Sequence, residues 1–174
     1  PTASLHFTDN VFEKIKKKGV LHSFVTLNVG LGTFAPVSHD NFLKNSLHKE
    51  IFSIKHNDLV KINKAQSEKK KIIAVGTTTT RVLESFLSLQ RSDLCKSEGG
   101  DYVGETDIFI HSPYKFKVTN ALLTNFHLPC SSLMMLVDAF LQNKKAKKSI
   151  LELYKIAIFE KFRFYSFGDA MLII

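Results

Sequence analysis

The chain has 174 residues, 44% of them hydrophobic and 23% charged, the balance of one soluble globular domain long enough to bury a core. No apolar run approaches the roughly 18–20 residues of a membrane helix, and the first residues lack the basic and apolar regions of a signal peptide. A cytoplasmic protein without a membrane partner is expected. The net charge of +8 invites a nucleic-acid partner, although only three of the 24 cationic residues are arginine, the side chain best shaped for phosphate and guanine. Cys95 and Cys130 stand alone, with no spacing that suggests a disulfide framework or a zinc site, so no metal is expected.

Thr8 and Asp9 are N-cap types, and Asn10 to Lys18 reads as a helix closed by Gly19. Val20 to Val29 reads as a strand ending at Gly30-Leu31-Gly32. The segment from Ser38 to His56 has no clean period, and Leu59 to Ile62 reads as a short strand. Ile72 to Val75 reads as a buried strand, followed by Gly76, four threonines and a helix from about Thr80 to Leu89. Residues 91 to 105 read as a glycine-containing loop. Asp107 to Ile110, Tyr114 to Val118 and Ala121 to Asn125 read as strands. Pro129 and Ser131 open a helix over Ser132 to Leu141, a second helix covers Ile150 to Phe162, and Phe164 to Ile174 closes the chain as a strand. Alternating strands and helices point to an α/β domain with some antiparallel pairing.

Gly30-Leu31-Gly32-Thr33-Phe34-Ala35 fits GxGxxA after a strand. The polar Ser38-His39-Asp40-Asn41 gives no helix to meet a dinucleotide phosphate, so a Rossmann site is not expected. A loop whose glycines let a ligand approach the backbone remains open. Gly76-Thr77-Thr78-Thr79-Thr80-Arg81, between a strand and a helix, suits a carboxylate or phosphate, or plain helix capping. Arg81 and Glu84, three apart, are also spaced for an ion pair within the helix. Asn125 and His127 fall where a strand hands over to a helix, the edge at which ligands collect in α/β sheets. The ordinary pKa of histidine makes it the residue type for proton transfer, and the positive end of the following helix is expected to keep His127 neutral. Asp107 and Asp169 each sit among apolar neighbours, where an unpaired carboxylate is expensive.

PTASLHFT, VTLNVGLGTFAPV, HKEIFSI, IIAVGTTTTRVLES, GETDIFI, YKFKV, LLTNFHLPCSSLMMLVDAF and FRFYSFGDAMLI together resemble the S-adenosylmethionine:tRNA ribosyltransferase-isomerase family of queuosine biosynthesis. Ser4, Asn28 and Asn120 depart from it, standing where members commonly have glycine, histidine and aspartate. The resemblance implies that the 174 residues form the C-terminal portion of the large catalytic domain, a barrel-like mixed α/β domain, in a longer, monomeric protein. It implies S-adenosylmethionine as co-substrate and, as partner, tRNA carrying 7-aminomethyl-7-deazaguanine at the wobble position. His127 or His6 becomes the candidate base. Asp107 or Asp169 becomes the holder of adenine or the ribose hydroxyls. Gly30, Gly32, Thr33, Gly76, Thr77, Thr78, Arg81 and Asn125 become the candidate cofactor contacts. A Rossmann-type methyltransferase and a non-catalytic RNA-binding module are the competing expectations.

Overall fold

The computed structural model describes residues 2–30, 36–88, 95–96, 100–165 and 168–174. A 3-10 turn (Thr2–His6) leads into α1 (Asp9–Lys17), β1 (Val25–Asn28), α2 (His39–Lys44), β2 (Ser46–Ile54) and α3 (His56–Ser67). Then come β3 (Ile73–Val75), α4 (Thr77–Ser88), β4 (Cys95–Lys96), β5 (Tyr102–Ile108) and β6 (Ala121–Asn125). Helices α5 (Ser132–Asn143) and α6 (Ile150–Phe159) precede β7 (Ala170–Ile173). The class is mixed α/β.

Two sheets form. One is antiparallel, in the order β1-β2-β5-β4; the other is mixed, in the order β3-β6-β7. In the second, β3 runs parallel to β6 with Val75 opposite Leu123, and β7 returns antiparallel with Ala170 opposite Asn125. Strand β6 is central, and Ala121, Leu122, Thr124 and Asn125 are all buried, as expected of a strand covered on both faces. Helices α5 and α6 supply Leu136, Val137, Phe140, Ile150 and Tyr154 to its core.

Helix α4 serves both sheets. Val82 packs into the core of the antiparallel sheet with Leu27, Phe52 and Ile54, while Leu83 joins the core around β6. Adjacent helical positions point about 100° apart, so one helix can face two cores.

Several expectations change. Residues 59 to 62 lie in α3: Leu59 is buried and Ile62 packs against the same core three residues on, a helical spacing. The expected strand over 20 to 29 shortens to Val25–Asn28, the stretch that finds partners in Ile51 to Ile54. The polar stretch after Ser38 does form a helix, α2 over His39–Lys44, opened by a capping box between Ser38 and Asn41. Strand β5 starts earlier than expected, because Tyr102 to Gly104 pair with Ile54 to Phe52. Tyr114 to Val118 is not a strand. Its amides go to a side chain instead, as described below.

Candidate active site

Strands β3 and β6 end side by side, and the chain leaves both at one sheet edge. Gly76 takes φ +89, which glycine accepts without strain, and its N–H donates to the Leu123 carbonyl at 2.7 Å. Helix α4 starts at the next residue. Thr79 and Thr80 donate their hydroxyls back to the Val75 and Gly76 carbonyls. Thr77, buried, and Thr78, half-buried, make no such bond among the described residues; both stand at the helix N-terminus, where N–H groups favour an anion.

Asn125 ends β6 and is 3% exposed. Its Oδ1 accepts from the Thr2 hydroxyl at 3.2 Å, and its Nδ2 donates to the carbonyls of Gly168 at 3.3 Å and Asp169 at 3.5 Å. One amide thus ties the N-terminal turn and the start of β7 to the same edge. That use of its amide makes Asn125 an organiser of the edge.

His127 follows two residues later. Its backbone N–H donates to the Tyr154 hydroxyl at 2.8 Å, and Nε2 lies 2.8 Å from the Thr124 hydroxyl. That hydroxyl also lies 3.3 Å from the Asn125 carbonyl; with its proton directed there, Nε2 carries the ring proton and the Nδ1 lone pair is free to accept. Burial pushes the His127 pKa down to about 4. The ring is therefore neutral at physiological pH, as expected, but desolvation is the cause rather than the positive end of α5, which begins only at Ser132.

His6 is exposed on the 3-10 turn, and Thr2 of that turn holds Asn125. Asp169 is near enough to feel the charge of His6. Asp169 is not stranded among apolar groups: Arg163 donates to it from its backbone N–H at 2.8 Å and from Nη2 at 2.7 Å. That pairing holds the Asp169 carboxyl down at about 2.

Arg81 does not pair with Glu84. Its Nη1 lies 2.6 Å from Glu50 Oε2, with the two side chains 4% and 1% exposed. Glu50 Oε1 accepts the backbone N–H of Gly30 at 3.0 Å, so the pair sits beneath the end of β1. Gly32 and Thr33 lie outside the described residues. Glu84, fully buried, accepts the backbone N–H groups of Lys117 (2.8 Å), Val118 (3.1 Å) and Thr119 (3.0 Å). It also bonds the Tyr114 hydroxyl, which burial and the Glu84 charge keep protonated. Asp107 is exposed rather than embedded in apolar groups. It lines a separate open cleft of about 430 Å³ between β5 and the 111–117 segment.

The structure therefore brings Thr77, Thr78, Asn125, His127, Asp169 and His6 to one edge and leaves Asp107, Arg81 and Gly30 elsewhere. Glu50 and Glu84 were missed as organisers. For Glu84 a signal was present, a carboxylate next to Val82, Leu83 and Phe86 on one helix, whereas Glu50 follows His48 and Lys49 and reads as part of a polar segment. Among the described residues no group of three or more His, Cys, Asp or Glu side chains is placed to hold a metal, and no helix is long and apolar enough to cross a membrane.

An α/β sheet edge with threonine hydroxyls at a helix N-terminus and a half-buried, neutral imidazole is the strand-end arrangement at which ligands collect in α/β sheets. The family model described as queuosine biosynthesis protein matches residues 1–173, and the chain belongs to that family. An S-adenosylmethionine:tRNA ribosyltransferase-isomerase of Sulfurihydrogenibium sp. is 47% identical over 174 residues, covering 100% of this chain and 48% of that protein. One from Thermotoga petrophila is 44% identical, covering 100% of this chain and 49% of the relative. The crystal structure of S-adenosylmethionine tRNA ribosyltransferase from Thermotoga maritima superposes with a TM-score of 0.75 at 40% identity, covering 99% of this chain and 51% of that one. The chain spans about half the length of the curated relatives it matches.

Proposed function

We propose that the protein carrying this chain transfers and isomerises the ribosyl group of S-adenosylmethionine onto 7-aminomethyl-7-deazaguanine at the tRNA wobble position. The products are epoxyqueuosine in the tRNA, adenine and methionine. In this reading the chain is the C-terminal portion of the catalytic α/β domain of a cytoplasmic enzyme. What carries the reading is 47% identity along the whole chain to a protein of that name. It is supported by a neutral histidine, His127, at the strand edge where such chemistry needs a base.

The sulfonium acidifies the hydrogens on ribose C5′, and a base must remove one. His127, neutral and with its Nδ1 lone pair open, suits that step; His6, exposed on the adjoining turn, is the second candidate. Thr77, Thr78 and the N–H groups opening α4 suit the methionine carboxylate. Asn125 keeps the edge in register by tying Thr2 and Gly168 to it. The charge of +8 suits an RNA partner.

Cofactor labelled on its methyl group tests the reading, with tRNA carrying the 7-aminomethyl base as acceptor. Label recovered in free methionine, with the ribosyl-derived mass on the tRNA, is the expected result. Label on the tRNA would overturn it in favour of methyl transfer.

A further inference from the structure

The cleft between β5 and the 111–117 segment lies away from the strand edge. Ser85, on its wall, stands eight residues beyond Thr77 along α4, or about 12 Å at the helical rise of 1.5 Å per residue. Its volume of about 430 Å³ is within the range of small-ligand sites.

The walls are firmly built. Thr106 of β5 and Ser85 of α4 hydrogen-bond each other in the interior. Glu84, fully buried, fixes the opposite wall through the amides of Lys117, Val118 and Thr119. A buried carboxylate committed to shaping one short segment is the kind of support that holds a binding surface in place. Two stretches singled out in the sequence, GETDIFI and YKFKV, form most of this lining.

The charges are the telling feature. Asp107, Lys115 and Lys117 line one cleft, yet none of the three has an ion-pair or hydrogen-bonding partner for its side chain among the described residues. Opposite charges that share a cleft without pairing leave both signs open to a ligand. His111 and Tyr114, both half-buried, also line it, and unstacked RNA bases rest on such side chains.

We infer that this cleft receives the guanine-type acceptor base, with Asp107 accepting hydrogen bonds from N1–H and the 2-amino group. An ionised carboxylate only accepts, and it matches those two parallel donors in a charge-assisted, bidentate contact. Lys115 and Lys117, both exposed, take the neighbouring phosphates. The aminomethyl arm lies on the five-membered ring, away from the gripped edge. Asp169 cannot fill this role as it stands, because Arg163 occupies its carboxylate. The assignment rests on the proposed tRNA substrate, but it concerns recognition of the base rather than transfer to it.

The test is binding of short RNA stem-loops with guanine or hypoxanthine at one loop position; hypoxanthine lacks the 2-amino group. The unaltered protein is expected to favour guanine by about tenfold or more, the effect of one hydrogen bond to a charged partner. Asp107→Asn should remove most of that preference, with Asp169→Asn retaining it. Lys115→Gln with Lys117→Gln should weaken both RNAs equally and lower the slope of log affinity against log salt by about 1.4. A guanine preference that survives Asp107→Asn, or is absent from the unaltered protein, overturns the inference. So does an Asp107→Asn variant that loses S-adenosylmethionine affinity with RNA binding unchanged. A preference that depends on Asp107 in a protein without ribosyl transfer would leave the pocket standing and sink the proposed reaction instead.

Discussion

Arg81 Nη1 lies 2.6 Å from Glu50 Oε2, and the two side chains are 4% and 1% exposed. The pair joins α4 to the middle of the antiparallel sheet, and Glu50 passes the restraint on to the Gly30 N–H. Removing one partner leaves a buried charge uncompensated, which typically costs about 3–5 kcal/mol. Glu50→Gln and Arg81→Met should each lower stability by about that amount in denaturant unfolding. The double variant should recover most of the loss, since a buried pair can be replaced by neutral groups at little cost. Single variants as stable as the parent would show that the pair does not hold the sheet to the helix.

His127 makes stability depend on pH. The unfolded imidazole titrates near 6.5 and the folded one at about 4, so between these values the unfolded state binds the extra proton. The contribution is fully present above about pH 6.5 and is lost as pH falls towards 4, amounting to about 3 kcal/mol. Unfolding free energies measured across that window should fall with acid, and His127→Gln should flatten the part of the curve due to this ring. An unchanged curve in the variant would assign the slope to other groups.

The same ring is the proposed base. His127→Ala should slow ribosyl transfer on the order of 10²- to 10⁴-fold, with S-adenosylmethionine affinity largely retained. The acid limb of the rate profile should fall well below neutrality, following the lowered pKa. A His127→Gln enzyme that works at nearly the parent rate would leave His127 as a hydrogen-bonding residue and transfer the base assignment to His6.

Glu84 holds three consecutive backbone amides. In Glu84→Gln, one oxygen becomes an NH₂ that faces an N–H donor. The expected loss is about 2–3 kcal/mol, with hydrogen exchange at Lys117 to Thr119 accelerating more than at β6. Uniform acceleration over the whole chain would point to global destabilisation without a local role.

Gly168 has no room for a side chain. A Cβ there would overlap the Arg163 carbonyl and lie 2.7 Å from the Phe164 carbonyl carbon. Gly168→Ala should push residue 168 away from Arg163 and Phe164, cost about 1–3 kcal/mol and disturb the Asn125 contact to the Gly168 carbonyl. A crystal structure of the variant with residue 168 unmoved would refute this.

Short-range information in the sequence determined the elements whose signals are local. Thr8, Ser131 and Ser149 cap their helices as their side chains allow, and the apolar Ala121 to Leu123 marks a strand. The strand-to-helix handovers at Gly76 and Asn125 were legible for the same reason, and with them the edge that carries His127. The motifs that run from PTASLHFT to FRFYSFGDAMLI were enough to place the chain in its family. Tertiary structure alone decided the partners of charges far apart in sequence. Arg81 has its near neighbour Glu84 three positions away, yet it pairs with Glu50 across two elements, because the face of α4 that carries it packs on the antiparallel sheet. Tyr114 to Val118 has the composition of a strand, but the Glu84 carboxylate takes the amides that a ladder would have used. Asp107 and Asp169 look alike in sequence, each a carboxylate beside apolar residues. Only the fold separates them, by turning one into an open cleft and placing the other against Arg163.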